Sequence, residues 1–276
     1  WFNKRKNRNK VILATKVCGR APFTWLRDHE TPTEQTKKQI FEAVDKSLER
    51  LQTDYIDLYQ LHWPDRPMSL FGGSINYQHI EGEANSIESI LDALSELIKI
   101  GKIRNIGLSN ETPWGTMEFV HQSKDKDLPK MQSIQNAYNL LNRIFEFGGS
   151  EIAFRESVGL LAYSPLAQGY LTGKYQNGNL PKGSRKELFD RLQRYEGVGS
   201  EEAIESYLNI AKKYNIDPSQ LANQFVTTRP FVTSNIIGAT SMEQLKLAVT
   251  SIEVNLTEEI ENDIEKAFQM HGNVAS

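Results

Sequence analysis

The sequence predicts an α/β fold on a parallel sheet, specifically an (α/β)8 TIM barrel. Strand-like segments alternate with helix-like segments along all 276 residues, which is the pattern of consecutive βα units. Polar side chains also recur where the strands end. The six predicted strands are Val11–Val17, Tyr55–Trp63, Ile103–Asn110, Ser133–Asn139, Gly159–Leu166 and Asn235–Thr240. A closed barrel of this type has eight strands, so the first two βα strands are expected to be missing from this chain, before Trp1.

Capping residues mark the ends of the predicted helices between these strands. Ser, Thr or Asp followed by a helix-forming run satisfies the free amides of a first turn, and proline suits the first helical position. The helix from Ile87 to Ile100 has one apolar face and ends at Gly101, a residue type favoured after a helix. The other predicted helix starts are the capping box Thr31–Glu34, Thr112-Pro113, Glu151, Glu201, Asp217-Pro218, Ser241 and Thr257.

Composition places the chain among ordinary globular proteins. The formal net charge of −3 gives no attraction to nucleic acid or to a membrane surface. The single cysteine, Cys18, excludes an internal disulfide and a cysteine-cluster metal site. No run is long and apolar enough for a membrane span, and no signal peptide is visible. We expect one domain over residues 1–276, in the cytoplasm.

The segment Tyr55–Trp63, YIDLYQLHW, is the strand around which the prediction is organised. Side chains alternate along a strand, so His62 shares a face with Ile56 and Gln60. Pro64 follows and cannot donate to a strand ladder, which ends the strand at Trp63. His62 therefore lies where a buried strand exits, the usual place for a site in an α/β fold. A core histidine with satisfied hydrogen bonds is the open alternative.

Polar residues occupy the same end of all six strands. A packed core would leave these positions apolar, whereas the active face of a barrel takes its groups from several strand ends. They are Lys16, His62, Ser109 with Asn110, Gln135 to Asn139, Tyr163 with Ser164, and Thr240 with Ser241. Lys16 is either an exposed strand end or a partly buried ammonium that lowers the pKa of a neighbouring acid, and its neighbours favour the second. Tyr163 is either core filler or a stacking surface for a planar ring.

An anion site is predicted near the last strands. Barrels often hold phosphate with loops after the final strands and with a helix N-terminus. Here the last strand runs through Gly238 into Thr240 and a helix start, and the preceding loop supplies Lys174, Ser184 and Arg185. The forked arginine donor suits a phosphate monoester and favours NADP over NAD. The alternative is a capped helix with a solvated basic loop.

Five ordered motifs carry a family resemblance: ILATK, DLYQLHWP, IGLSN, AYSPLAQGYLTGKY and IIGAT. Over nearly the whole chain the sequence resembles the aldo-keto reductase superfamily, in particular its Tas-like branch, related to the potassium-channel β subunits. The resemblance implies an (α/β)8 barrel that binds NADPH and transfers hydride to an aldehyde or ketone.

The same resemblance implies roles for individual residues. Lys16 and His62 would be two members of the catalytic tetrad, whose aspartate and tyrosine are expected upstream of the first strand. The implied cofactor residues are Ser109, Asn110 and Gln135 at the carboxamide; Tyr163 on the nicotinamide; Ser164, Pro165, Leu166, Gln168 and Gly169 at the pyrophosphate; and Lys174, Ser184, Arg185, Gly238, Thr240 and Gln244 at the adenosine end.

The expected function is NADPH-dependent reduction of a small carbonyl substrate to an alcohol. Trp63, Phe71, Tyr77 and Trp114 are expected to line an apolar substrate pocket, with the loop from Pro64 to Asn85 as its wall or lid. Two alternatives stay open: a nucleotide-binding, redox-sensing regulatory subunit with slow or no turnover, and a barrel enzyme without NAD(P), such as a phosphosugar isomerase. The substrate and the oligomeric state are not readable from the sequence.

Overall fold

Parallel strands alternating with helices make up the described part of the chain. The computed structural model describes residues 1–68, 79–189 and 193–275. The strands are β1 Ala14–Val17, β2 Ile56–Leu61, β3 Ile103–Ser109, β4 Met131–Ala137, β5 Gly159–Tyr163 and β6 Val232–Ile236. Within each compact part of the chain, strands that are neighbours in the sheet are also consecutive in the chain, as expected for successive βα units.

Ten α-helices occur among these residues. They are α1 Phe2–Arg5, α2 Lys37–Leu51, α3 Ile87–Lys99, α4 Pro113–Asp125, α5 Gly149–Arg155, α6 Arg185–Phe189, α7 Ser200–Lys213, α8 Pro218–Thr227, α9 Met242–Thr250 and α10 Glu258–His271. Short 3-10 turns lie at Arg8–Lys10, Asp28–Glu30, Ile144–Glu146, Ala167–Thr172, Gln176–Gly178, Gln193–Tyr195 and Ser251–Glu253. None of the described helices has the length and apolar character needed to cross a membrane.

The chain divides into two compact units. In the described residues, the first contains 1–68, 79–135 and 155–158, and the second contains 136–154, 159–189 and 193–275. In the first unit β1 pairs with β2, β2 with β3 and β3 with β4, all in parallel. In the second unit β5 pairs in parallel with β6. Because paired parallel strands end at the same edge, the ends of β1, β2 and β3 are brought close together with Gln135 of β4 in the first unit.

Each unit has its own apolar core. Leu91, Leu94 and Leu97 of α3 are fully buried in the first unit, at the spacing that puts them on one helix face. In the second unit Tyr138 stacks on Phe225 with ring centroids 5.8 Å apart. These buried faces orient the helices on the strands and so fix where the strands end.

Four predicted helix starts are confirmed by side-chain caps. The Thr112 and Ser241 hydroxyls accept from the backbone amides of Gly115 and Gln244. Asp217 and Thr257 likewise cap α8 and α10.

The predicted capping box at Thr31–Glu34 is wrong, because α2 begins at Lys37 with Thr36 as its cap. Thr33 instead forms an antiparallel bridge with Ala21, and its hydroxyl donates to the carbonyl of Gly19 at 2.8 Å. The local signal was therefore overridden by contacts with a distant segment.

The last predicted strand is also misplaced. The chain pairs with β5 from Val232 to Ile236, not from Asn235 to Thr240. Thr240 belongs to the turn before α9, where its amide donates to Gln244 Oε1 at 2.9 Å. The end of the strand is therefore four residues earlier than predicted.

Candidate active site

Lys16 and His62 lie at the ends of β1 and β2 in the first unit. Lys16 is in β1, and the His62 amide donates to the carbonyl of Val17 at 2.8 Å. Both side chains are half-buried. Burial lowers the pKa of His62 to about 4, with a further lowering from the positive charge of Lys16. The ammonium is thus near enough to act on the ring, and the imidazole is neutral near pH 7.

Burial also lowers the pKa of Lys16 below its ordinary value. The direction follows from the loss of water around the ammonium, which disfavours its charged form. Of the two alternatives raised by the sequence, an exposed strand end does not describe this lysine. A partly desolvated cation beside a neutral imidazole can stabilise negative charge that develops on a substrate oxygen.

Asn110 connects His62 with the end of β3. Its Nδ2 donates to the His62 carbonyl at 2.8 Å and to Ser109 Oγ at 3.1 Å. Its φ of 52° is in the left-handed region, which asparagine tolerates better than most residues. The Ser109 hydroxyl and the Asn110 amide both donate to the Gln135 carbonyl, at 2.8 and 3.0 Å. Ser109, Asn110 and Gln135 therefore form one hydrogen-bonded group with the backbone of His62.

The side chain of Gln135 has a free acceptor. Its Oε1 is buried and has no hydrogen-bond partner among the described atoms. Buried acceptors without partners are uncommon because they lose their hydration. An amide-bearing ligand would supply the missing donor, so this atom fits the carboxamide of a nicotinamide.

Two loop residues that sequence reasoning missed hold this end of the first unit. A Cβ on Gly19 would lie 2.3 Å from the Trp63 carbonyl oxygen, so only glycine allows the two loops to approach. Asp65 accepts from the backbone amides of Gln35 and Asn85 at 2.7 and 2.8 Å. A glycine two residues after the end of a strand was a readable signal for Gly19, whereas the partners of Asp65 are too distant in sequence to predict.

The predicted substrate-pocket residues are only partly described. Phe71 and Tyr77 lie outside the described residues. Trp63 is buried, and its indole Nε1 donates to the Arg20 carbonyl at 3.2 Å. Trp114 is 62% exposed and stacks under the Arg66 guanidinium. Both tryptophans line a cavity of about 350 Å³ in the first unit, so they share a cavity, and their role toward a substrate stays a prediction.

In the second unit Tyr163 ends β5. Its phenol oxygen accepts from Arg194 Nη1 at 3.1 Å, and its carbonyl accepts from the Tyr138 amide at 3.3 Å. Asn139 is fully buried and donates to the Ser164 carbonyl at 2.9 Å and to the Tyr195 hydroxyl at 3.0 Å. Asn139 lay within the predicted polar run of β4, but nothing in the sequence indicated that Arg194 contacts Tyr163.

The segment after β5 has an unusual backbone. Ser164, Ala167, Gln168 and Gly169 have φ values of 59, 47, 58 and 104°, all in the left-handed region. In such irregular segments, successive backbone N–H groups can form a concave site that binds anions. Gln168 Oε1 is buried without a partner among the described atoms. The predicted pyrophosphate residues Pro165 and Leu166 lie in the same turn, where Leu166 accepts from the Gly169 amide at 2.8 Å.

Lys174 lies over this turn. A Cβ on Gly169 would meet Lys174 Nζ at 2.9 Å, so the glycine leaves room for the ammonium. Ser184 is buried, and its hydroxyl accepts from the Glu187 amide in α6 at 3.4 Å. Arg185 begins α6 and is exposed. The loop therefore has Lys174 beside the turn, whereas Lys182 and Arg185 are exposed to solvent.

The remaining predicted residues form a separate group. Gly238 and Thr240 are exposed, and Gln244 Oε1 accepts from both the amide and the hydroxyl of Thr240. In the described part of the chain no hydrogen bond or ion pair joins Arg185 to this group. The helix start at Ser241 is capped, which agrees with the alternative prediction of a capped helix with a solvated basic loop.

The first unit thus gathers a desolvated ammonium, a neutral imidazole and an unpaired amide acceptor at the ends of parallel strands. The second unit presents a tyrosine ring, a left-handed turn and a basic loop. In the first unit, the buried Gln135 oxygen that lacks a donor fits the carboxamide of a nicotinamide. These are features of an α/β oxidoreductase.

Comparison with known proteins gives the family. The family profile described as Aldo/keto reductase family matches residues 1–268. The chain is 44% identical over 274 residues to Protein tas of Escherichia coli (strain K12), covering 98% of this chain and 78% of tas. It is 42% identical over 252 residues to an aldo-keto reductase of Babesia bovis, covering 86% and 88% of the two chains.

A further relative is the L-glyceraldehyde 3-phosphate reductase of Escherichia coli (strain K12), which is 29% identical over 230 residues, covering 80% of this chain and 60% of the relative. The chain belongs to the aldo/keto reductase family, a family of oxidoreductases, and its parallel sheet with alternating helices is the α/β architecture expected of the family's (α/β)8 barrel. The family and fold class predicted from the motifs are confirmed.

Proposed function

We propose that this protein reduces an aldehyde or a ketone to an alcohol with NADPH as hydride donor. The observation that carries the proposal is the placement of Lys16 beside a neutral His62 at the ends of β1 and β2. When bound, the nicotinamide supplies a hydride to the carbonyl carbon, and one proton from solvent or a side chain completes the alcohol.

His62 and Lys16 have distinct roles in this proposal. The neutral imidazole donates a hydrogen bond that orients the carbonyl oxygen, because a pKa of about 4 leaves the ring uncharged at neutral pH. The Lys16 ammonium stabilises the negative charge that builds on that oxygen and lowers the pKa of the group that protonates it. Asn110 fixes the carbonyl of His62 and thereby the position of the ring.

The residues of the second unit serve the cofactor. Tyr163 offers a ring face for the nicotinamide, the turn at Ser164–Gly169 and Lys174 hold the pyrophosphate, and Arg185 reads the 2′-phosphate. In the first unit, Gln135 Oε1 is the proposed acceptor for the carboxamide. The exposure of Arg185 suits a group that meets a charged ligand from solvent and does not need a prior partner.

A lysine substitution tests the reductase. Lys16→Met should reduce NADPH-coupled turnover by at least about a hundredfold, the scale of losing one stabilising group for a developing oxyanion, while NADPH binding stays within about twofold. Lys10→Met, which removes an exposed lysine before β1, is the control and should change neither. Unchanged turnover in Lys16→Met would end the assignment, and NADPH binding without any turnover in the unaltered chain would favour the regulatory alternative.

An arginine substitution tests the choice of cofactor. Arg185→Ala should weaken NADPH about tenfold and leave NADH nearly unchanged, because only NADPH carries the extra phosphate. Lys182→Ala removes an exposed charge from the same loop. It is the control that distinguishes a direct contact between Arg185 and the phosphate from the general positive charge of the loop. Equal losses for both cofactors would show that Arg185 does not read the phosphate.

The substrate panel follows from the relatives. One is named L-glyceraldehyde 3-phosphate reductase, and a protein 30% identical over 224 residues is named putative aryl-alcohol dehydrogenase. A phosphorylated aldehyde, an aromatic aldehyde and an aliphatic ketone should therefore be compared by NADPH consumption.

A further inference from the structure

Arg194 lies in the second unit and has no role in the proposed function so far. Its Nη1 donates to the phenol oxygen of Tyr163 at 3.1 Å, and its side chain is half-buried. It also hydrogen-bonds with Tyr195. An arginine guanidinium stays protonated in any folded protein. A permanent positive charge is thus attached to the ring that is proposed to carry the nicotinamide.

The surroundings hold that charge in place. Tyr195 is 1% exposed and accepts from Asn139 Nδ2 at 3.0 Å. Asn139 is fixed in turn, since its Oδ1 accepts from the amides of Leu141 and Asn142 at 2.9 and 3.1 Å. This buried network contacts the Ser164 carbonyl as well. The guanidinium is therefore bonded to groups that cannot easily move.

A fixed charge near a nicotinamide distinguishes its two redox forms. The oxidised ring carries one positive charge and the reduced ring carries none, while the phosphates and the sugars are the same in both. A nearby cation therefore raises the free energy of the oxidised form alone, and the effect is larger where water is partly excluded. Hydrogen bonding to the phenol also holds the outer end of the Tyr163 side chain in place.

We infer that the charge of Arg194, held beside the Tyr163 ring, makes the site bind reduced nicotinamide more tightly than oxidised nicotinamide. The inference rests on the proposed function, because it takes the Tyr163 ring as the stacking face. In this role Arg194 favours loading with NADPH and release of NADP⁺ after each turnover.

The test is a ratio of two dissociation constants. NADPH and NADP⁺ are titrated separately into the full chain by calorimetry, and the ratio of Kd for NADP⁺ to Kd for NADPH is compared between variants. Arg194→Gln keeps a donor for the phenol and removes the charge, so the ratio should fall by about fivefold. Arg194→Lys keeps the charge, and its ratio should stay within about twofold of the unaltered chain. Arg194→Met serves in place of the glutamine variant if that variant does not fold.

Tyr163→Phe is the matched control. It removes the acceptor and leaves both the ring and the charge, so it should weaken the two forms by similar factors with the ratio nearly unchanged. A purely structural Arg194 predicts that Arg194→Gln weakens both forms equally, and that result would overturn the inference. So would an Arg194→Lys ratio as low as that of Arg194→Gln.

The same titrations separate the two proposals. Binding of both forms with a ratio insensitive to Arg194 removes the inference and leaves the proposed function standing. Binding of neither form by the unaltered chain would overturn both.

Discussion

Replacing Lys16 by methionine should raise the pKa of His62 from its value of about 4. The value of about 4 has two causes, burial of the imidazole first and the charge of Lys16 second. Methionine removes the second cause and keeps most of the first, because its side chain occupies a similar volume. The pKa should therefore return less than half of the way to 6.5, its ordinary value.

The assay is a proton-carbon NMR titration of the histidine rings. The chain has five histidines, and the His62 resonance is the one lost in His62→Gln. In the unaltered chain it should titrate at about 4. A His62 resonance that titrates near 6.5 in the unaltered chain would refute the burial argument. An equal pKa in Lys16→Met and in the unaltered chain would show that the ammonium does not act on the ring.

The same pKa makes stability depend on pH. The folded pKa lies below the unfolded value of 6.5, so the unfolded chain binds more protons between pH 6.5 and about pH 4. The free energy of unfolding should therefore fall as pH falls through that window. The full interval corresponds to about 3 kcal/mol, and contact of the ring with solvent reduces the expected loss to about 2 kcal/mol. Urea unfolding of His62→Gln should lack this part of the loss.

Three further changes test the supports of the site. Gly19→Ala should lower the free energy of unfolding by about 2 kcal/mol in urea, because its Cβ would meet backbone atoms, whereas Gly197→Ala has room and should change little. Asn110→Ala should weaken NADPH binding, measured by fluorescence quenching, and Asn110→Gly should do the same if lost hydrogen bonds and not the φ of 52° are responsible. Gln135→Met should raise the melting temperature of the unliganded chain while weakening NADPH, because it removes a buried unpaired acceptor; the exposed Gln132→Met should do neither.

Local signals predicted most of the fold. The caps at Thr112 and Asp217 depend only on the residues next to them, so they could be read from short windows. The start of α2 could not, because Thr33 bonds to Gly19 and the amide of Gln35 donates to Asp65. Where a side chain has a partner far away in sequence, a rule based on neighbouring residues cannot take that distant contact into account.

The candidate site was predictable to the extent that it depends on strand geometry. Alternation along a strand and the shared edge of parallel strands put Lys16, His62 and Asn110 at one end, and the structure connects them. Loop residues follow no such period. Arg194 reaches Tyr163 across 31 residues, and only the path of the intervening loop decides that contact. For the loop residues, whose positions the sequence pattern did not predict, the expected roles came from the family resemblance.

Hydrogen-bond satisfaction separates the residues that support the site from those available to a ligand. The side-chain nitrogen of Asn110 and both polar side-chain atoms of Asn139 have hydrogen-bond partners, and these hydrogen bonds hold neighbouring backbone in place. Gln135 and Gln168 each have a buried oxygen without a partner, which costs the unliganded protein about 1–3 kcal/mol per group. A ligand that donates to these oxygens recovers that cost on binding. The unpaired Gln135 oxygen therefore reduces stability without cofactor and increases affinity for a carboxamide donor, so stability and cofactor affinity should change in opposite directions when Gln135 is replaced.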